Sequence, residues 1–308
     1  MIKKRTPLNK IYIGLTLFFI NLFCFFATTE LDKKNKTNFF IFFVLFLALI
    51  IVFVTTKEIL NLNKTSKNIF LQFIFLIYSL FYFFYFCLFL LKNISNKLSE
   101  DNLIKKIIIN FKTEHILFGV LFFLLILWLF YLFIHEFHIQ NLFSILFALI
   151  YVVFCSSCFF VLNCFHYRWF CYLFVITISN DSFSFLGGYY FGKRLLFPSV
   201  SPKKTWEGSI IGIIFTFFIC FIFFHDVISI GFFIFTFFNC IISQMGDLIA
   251  SKLKRDFSIK DFSGFIPGHG GLLDRFDSLL FLSFFIIVLF LFPNDNISDF
   301  LHSLFLNK

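Results

Sequence analysis

Carboxylates, cations and glycines are concentrated in one stretch near the end of the sequence. Residues 247–277 contain five carboxylates and five Lys or Arg residues. If the start of this stretch is helical, Asp247, Ser251, Lys254 and Arg255 fall within a sector of about 100°, with apolar residues opposite. This mixture suits a nucleoside triphosphate with magnesium, because proteins usually hold Mg²⁺ with one or two carboxylates plus phosphate oxygens.

The second half of this stretch places acidic residues at the start of an apolar run. Asp274, Asp277 and Ser278 share one face of the predicted helix, where the helix dipole favours carboxylates. The glycines that precede them allow positive φ and close approach of backbone to ligand; they are Gly264, Gly268, Gly270 and Gly271. A structural ion-pair network is the alternative interpretation, since the opposite charges could neutralise one another, but the glycine density favours a ligand site.

A basic segment lies at residues 201–208 and has the sequence Ser-Pro-Lys-Lys-Thr-Trp-Glu-Gly. Lys203 and Lys204 are flexible cations suited to phosphate oxygens. The start of the helix predicted to follow offers backbone N–H groups to an anion. A membrane-surface anchor would use the same lysines and Trp206. The residues alone leave both interpretations open.

A further carboxylate, Asp181, lies within an apolar run, together with Asn180, Ser182 and Ser184. An intramembrane carboxylate is costly unless it is paired, hydrated or bound to a metal, so Asp181 is a candidate functional residue. The alternative is a helix-packing role, in which small residues of the same run form a contact face. The functional interpretation is favoured.

The composition indicates what positions these residues. Of the 308 residues 60% are hydrophobic and 14% are charged, with a mean hydropathy of +0.93. Soluble domains are about half apolar and a quarter charged, whereas a membrane helix needs roughly 20 apolar residues. We therefore predict an all-α polytopic membrane protein with a polar catalytic cavity at the membrane boundary. About nine helices are expected, at 11–29, 39–56, 69–91, 115–134, 141–163, 169–192, 208–225, 228–246 and 277–293.

Two predicted spans separate segment 193–207 from segment 247–276, so both segments face the same side of the membrane. The Lys and Arg distribution places that side in the cytoplasm.

The net charge of +9 comes from residues in short loops, where they set topology and meet anionic lipid, so nucleic acid is not an expected partner. The eight cysteines lie mostly in apolar runs and do not form the spaced ligand sets of a zinc site.

Residues 251–277 read S-x-L-K-R-x4-K-D-x-S-x2-I-P-x-H-G-G-L-x-D-R-F-D and resemble the signature of the phosphatidate cytidylyltransferases. Gly246-Asp247, segment 201–208 and Asp181-Ser182 also match that family. The resemblance covers residues of about 177–290, while residues 1–165 match only as generic apolar spans. It therefore implies an N-terminal membrane region, 1–165, and a catalytic region, 166–308, within one integrated domain. Asn180 and Phe183 depart from the small residues usual beside Asp-Ser.

The resemblance implies an enzyme of the cell membrane, in the bacterial inner or plasma membrane, with its active site facing the cytoplasm. Its substrates would be CTP and phosphatidic acid, its cofactor Mg²⁺ with a monovalent cation such as K⁺ beside it, and its assembly a homodimer. Asp247 and Asp274 would hold the divalent metal. The residues expected to contact the triphosphate or the lipid phosphate are Lys203, Lys204, Lys254, Arg255, Lys260 and Arg275. The other expected site residues are Asp181, Ser201, Ser251, Asp261, His269 and Asp277.

The expected reaction is nucleotidyl transfer, in which the lipid phosphate attacks CTP and pyrophosphate leaves. One alternative is a CTP-dependent lipid-alcohol kinase, whose products would be a lipid phosphate and CDP. Another is an ion or solute transporter, because buried Asp residues and glycine-broken helices also mark transport sites. The paired Lys and Arg residues favour a polyphosphate over a small cation, and the sequence shows no internal repeat of the kind transporters carry.

Overall fold

The structure is a computed structural model that describes residues 23–32, 34–35, 38–62, 69–94, 125, 143, 146–265, 270–292, 300–301 and 304–305. Most of these residues are helical. The elements in chain order are α1 (Phe39–Leu62), α2 (Ile69–Ile94), α3 (Cys155–Phe165), α4 (Tyr167–Phe191), β1 (Leu195–Phe197), β2 (Ser201–Thr205), α5 (Trp206–Phe223), α6 (Ile230–Asp256) and α7 (Leu273–Leu291). A π-helical turn, Ala148–Phe154, leads into α3, and a short 3₁₀ turn, His225–Val227, follows α5.

Five helices of the described part are long and apolar enough to cross a membrane: α1, α2 from Gln72, α4, α5 and α6. The expected all-α, multi-pass membrane protein is therefore confirmed. The predicted span 277–293 corresponds to α7, whose first turn carries charge, and 141–163 corresponds to the π turn with α3. Apart from residue 125, the predicted span 115–134 lies outside the described residues, as does most of 11–29.

The structure adds detail to the two polar segments. The predicted loop 193–207 contains a small antiparallel hairpin, in which Leu195 pairs with Thr205. The Glu207 carboxylate holds this hairpin by accepting the N–H groups of Lys193 and Arg194, at 3.0 and 3.2 Å. The helix considered for the start of segment 247–276 is present, because α6 continues to Asp256, ten residues past the predicted span 228–246. The extra turns carry charged side chains out of the apolar region along one rigid helix.

Helices α4 and α5 pack with their backbones in contact. A Cβ on Gly208 would lie 2.6 Å from the Ser184 carbonyl oxygen and 2.8 Å from the Gly188 nitrogen, so only glycine fits. Gly192 is similarly close to Thr205, whose Cγ2 would be 2.8 Å from an added Cβ. The small-residue contact face considered as an alternative therefore exists in α4, alongside the polar residues of the same helix.

A polar network crosses the interior of helices α4, α5 and α6. The Asn180 side chain is fully buried and donates to the Cys240 carbonyl at 2.8 Å, while its own oxygen accepts from Gln244 at 2.9 Å. Gln244 also bonds the Ser209 hydroxyl of α5. Such bonds contribute modestly in membranes, about 0.6 kcal/mol each on average. These directional bonds fix the rotation of α4 relative to α6, so Asn180 has a packing role.

Helix α6 approaches α7 through Gly246. A Cβ at Gly246 would lie 2.9 Å from the Phe281 Cβ and 3.1 Å from the Ser278 Cα. The turn of α6 that starts at Asp247 is therefore held against the first turns of α7, which carry Asp274 and Asp277.

We expect Gly208→Ala to destabilise the protein by about 2 kcal/mol, because the added methyl forces two helix backbones apart. This loss exceeds the gain of about 1 kcal/mol in helix propensity. Thermal unfolding of detergent-solubilised protein, followed by tryptophan fluorescence, measures the change. Gly264→Ala is the matched control, since nothing lies within 4 Å of its Cβ position. Equal unfolding temperatures for the two variants would contradict the proposed backbone contact.

Candidate active site

Two ion pairs tie three charged segments together at the end of α6. The Lys204 Nζ of β2 lies 2.6 Å from the Asp247 Oδ2 of α6. Seven residues further along α6, the Lys254 Nζ lies 2.7 Å from the Asp274 Oδ1 of α7. The hairpin, the end of α6 and the start of α7 therefore meet at one end of the helices, as the arrangement of the two polar segments predicts.

The Lys204–Asp247 pair is accessible. Its side chains are 26% and 29% exposed, and Ser251 donates to the other Asp247 oxygen at 3.3 Å. An exposed pair of this kind is weakly held, because solvent screens its attraction. An incoming phosphate or cation can therefore exchange with either partner at little cost.

The Lys254–Asp274 pair is enclosed, with side chains 12% and 7% exposed. The Asp274 Oδ2 also accepts the backbone N–H groups of Phe262 and Gly271, at 3.0 and 2.8 Å. Gly270 has a φ of +85°, and a Cβ there would lie 3.0 Å from the same Asp274 oxygen. Asp274 thus organises the glycine-rich loop, and Gly270 alone among the described glycines has the positive φ that the sequence suggested for several.

Further charges surround the Asp247 carboxylate. Asp181 interacts electrostatically with Asp247 and with the cations Lys204 and Arg275. Asp277, which is 4% exposed, interacts with both Asp247 and Asp181. The structure therefore brings Asp181 of α4 to the same site as the signature residues, from which it is separated by more than sixty positions in sequence.

Buried hydroxyl groups lie beside these carboxylates. Tyr151 interacts electrostatically with Asp277 and Asp247. In the described part of the chain, the hydroxyls of Tyr151, Ser243 and Ser278 are buried and make no hydrogen bond. Buried polar atoms without partners are rare and often mark places where water or an ion binds.

The remaining predicted site residues have different settings. The Arg255 guanidinium donates to the carbonyls of Val200 and Ile259, both at 3.3 Å, and so ties the hairpin to the end of α6. Lys203, Lys260 and Asp261 are exposed, and Ser201 is half-buried. His269 lies outside the described residues.

One residue at the site gave no signal in the sequence. Glu58, near the end of α1, accepts hydrogen bonds from Ser263, Leu272 and Leu273. It belongs to the N-terminal region that reads only as generic apolar spans. A single carboxylate at the end of a span has no motif around it, so only the packing of α1 against the glycine-rich loop reveals its position.

The carboxylates fit a magnesium ion that arrives with a nucleotide. In the described residues, no group of three or more His, Cys, Asp or Glu side chains could hold a metal by itself. Mg²⁺ usually takes only one or two protein carboxylates and completes its shell with phosphate oxygens and water. The partly exposed Asp247 carboxylate, with Asp181, Asp277 and partnerless hydroxyls beside it, meets that requirement.

Fold and site together define a multi-pass helical membrane protein with a charged site at one end of its helices. A family model described as "Cytidylyltransferase family" matches residues 42–292, and the chain belongs to this family. The match begins well before residue 177, where the resemblance of the signature region starts, and so includes most of α1 and all of α2.

Three similar bacterial proteins are described as phosphatidate cytidylyltransferases. A phosphatidate cytidylyltransferase of Haemophilus influenzae is 45% identical over 116 residues, which are 35% of this chain and 40% of that protein. One from Bacillus subtilis is 39% identical over 128 residues, 39% of this chain and 47% of the relative. One from Rickettsia felis is 39% identical over 138 residues, 40% of this chain and 60% of the relative. The aligned stretches thus span about two fifths to three fifths of these relatives.

We expect Lys254→Met to destabilise the protein by about 3 kcal/mol, because it leaves the enclosed Asp274 carboxylate without its cation. Lys252→Met is the matched control on the same helix, since the Lys252–Asp256 pair is exposed and worth about 0–1 kcal/mol. Chemical or thermal unfolding in detergent measures both. A loss for Lys254→Met no larger than for Lys252→Met would show that the enclosed pair does not hold the loop.

Proposed function

We propose that this protein is a phosphatidate cytidylyltransferase, which converts CTP and phosphatidic acid into CDP-diacylglycerol and pyrophosphate during phospholipid biosynthesis. The observation that carries the proposal is that the Lys204–Asp247 and Lys254–Asp274 pairs bring the hairpin, the end of α6 and the start of α7 together. Alternating cations and carboxylates suit a triphosphate and its metal better than either charge alone. The names of the similar proteins support the same reaction.

The chemistry needs little beyond positioning and charge neutralisation. The phosphate of phosphatidic acid carries about −1.5 to −2 charges near pH 7, so its oxygen needs no strong base. That oxygen forms a bond to the α-phosphorus of CTP, and the bond from the α-phosphorus to the bridging oxygen of pyrophosphate breaks in line. The electron pair of the broken bond leaves with pyrophosphate. Lys and Arg side chains around the site stabilise the charge that develops on these oxygens.

The proposed roles of the charged residues differ with their accessibility. Lys203 and Lys204, in β2, are placed to receive phosphate oxygens from the aqueous side, and Lys204 can exchange Asp247 for a phosphate. Arg275 interacts with Asp181 at the same site and is placed for the lipid phosphate. Lys254 stays with Asp274 and keeps the loop in position.

Asp247 and Asp274 are the proposed Mg²⁺ ligands, with a monovalent cation such as K⁺ beside them. Asp247 is the accessible one, at 29% exposure, whereas Asp274 already accepts three hydrogen bonds. A carboxylate offers about four lone-pair sites, so Asp274 retains capacity for one further contact. When bound, the metal would neutralise the phosphates as a Lewis acid.

The membrane arrangement follows from the substrates. The proposal includes about nine spans, as the apolar runs require, and a polar cavity that opens sideways to lipid. Acyl chains stay in the bilayer because each exposed CH₂ costs about 0.8 kcal/mol, while CTP enters from the cytoplasm.

A homodimer is the proposed assembly, and a detergent-corrected mass equal to one chain would contradict it.

We expect detergent-purified protein to release pyrophosphate only when CTP, phosphatidic acid and Mg²⁺ are all present. Asp247→Asn should lower the rate about 100-fold or more, because the accessible ligand loses its charge. Asp256→Asn, an exposed acid on the same helix, should stay within about twofold of wild type. A coupled pyrophosphate assay and CTP-derived product analysis give the readout.

Other outcomes of that assay would identify other functions. CDP without pyrophosphate would indicate a lipid-alcohol kinase. No turnover from well-folded wild-type protein would favour transport. Normal Mg²⁺-dependent turnover in Asp247→Asn would remove Asp247 from the metal site.

We also expect an impermeant maleimide to label Phe265→Cys only in inverted vesicles and Ile230→Cys only in intact cells. Both side chains are exposed, at 59% and 81%; Ile230 begins α6, and Phe265 lies nine residues beyond its other end. The unmodified protein gives the background from its native cysteines. Labelling of Phe265→Cys in intact cells would reverse the proposed cytoplasmic orientation.

A further inference from the structure

Glu58 connects the N-terminal region to the glycine-rich loop. Helix α1 has 24 residues and is therefore about 36 Å long, enough to cross the membrane. Glu58 lies in its last turns, on the side of the charged site, and is 3% exposed. In the described residues Glu58 takes part in no ion pair, so its carboxylate depends on hydrogen bonds.

Three donors from one short segment satisfy this carboxylate. The Glu58 Oε1 accepts from the Ser263 hydroxyl at 2.5 Å and from the Leu272 N–H at 2.8 Å. The Oε2 accepts from the Leu273 N–H at 2.9 Å. A Cβ at Gly271 would lie 2.8 Å from the Glu58 Oε1, so the loop passes directly over the carboxylate.

The same contacts supply the N-terminal cap of α7. Leu272, at the N-cap position, offers no side-chain acceptor. Instead Asp274 accepts the Gly271 N–H, and Glu58 accepts the next two, from Leu272 and Leu273. A negative charge at this end of a helix is also favoured by the helix dipole. Two carboxylates, one of them from a helix more than 200 positions away, therefore fix where α7 begins.

We propose that Glu58 is a positioning residue for the nucleotidyl transfer proposed above. It holds the loop between α6 and α7 so that Asp274 meets Lys254, and so that Arg275 and Asp277 reach the surroundings of Asp247. The role of α1 is then to set the geometry of the site as well as to span the membrane.

The test compares Glu58→Gln with Asp32→Asn. Glutamine keeps the size of the side chain but replaces one acceptor oxygen by an N–H donor that faces a backbone N–H. Asp32 is the matched control, because its two oxygens accept the N–H groups of Phe39 and Phe40, at 2.7 and 2.8 Å, at the opposite end of α1. Both variants lose charged helix-capping bonds, but only Glu58 lies at the candidate active site.

Three readouts separate positioning from stability: the unfolding temperature, kcat at saturating substrates, and the rate of tryptic cleavage after the exposed Lys260. In Glu58→Gln we expect kcat to fall about tenfold or more and cleavage to accelerate about tenfold, because the loop loses charge-assisted bonds. In Asp32→Asn both rates should stay within about twofold of wild type, even where the unfolding temperature falls equally.

The proposal is overturned if Glu58→Gln keeps kcat and the cleavage rate, or if Asp32→Asn loses as much activity at an equal loss of stability. If Glu58→Gln does not fold, Ser263→Ala decides instead, since it removes one of the three donors. It should lower kcat and raise cleavage about threefold, and unchanged rates would overturn the proposal. If wild-type protein forms no pyrophosphate, the proposed function fails, and the cleavage rates still test the positioning role.

Discussion

Carboxylates near the edge of a membrane must each find a partner, since an unpaired charge there costs several kcal/mol. This constraint organises the site. Asp274 is satisfied by Lys254 and by two backbone N–H groups, and Glu58 by one hydroxyl and two backbone N–H groups. The donors come from α6, from the glycine-rich loop and from the start of α7. The requirement for partners therefore holds three segments of the chain in one arrangement.

Asp247 also has a cationic partner, but this pair is more accessible than the Lys254–Asp274 pair. The difference in accessibility distinguishes a pair that can bind a ligand from a pair that holds the loop. Its partner Lys204 is on a hairpin at the surface, and both side chains keep about a quarter of their area exposed. The enclosed Lys254–Asp274 pair is suited to fix the loop, whereas the accessible Lys204–Asp247 pair is suited to exchange with a ligand. Two ion pairs of identical chemistry thus have different uses because their burial differs.

Close helix packing brings the helices that carry these pairs together. The absence of a side chain at Gly208 lets α5 touch α4, which carries Asp181, and Gly246 lets α6 approach α7 beside Asp277. The hydrogen bonds from Asn180 to Cys240 and from Gln244 to Asn180 then prevent these helices from rotating. Apolar contacts alone specify rotation weakly in lipid, because one apolar face packs against acyl chains as well as another.

The sequence by itself determined the class of the protein, the approximate position of most spans and the residues of the charged site. Hydrophobic runs reflect the thickness of the bilayer, and the signature with the Gly246-Asp247 pair before it places Asp247, Lys254 and Asp274 in a short local stretch. Only the tertiary structure decided which cation meets which carboxylate, that Asp181 joins Asp247, and that Glu58 supports the loop. These relations join residues up to 215 positions apart, and they depend on helix rotation and close packing, which no local pattern of residue types encodes.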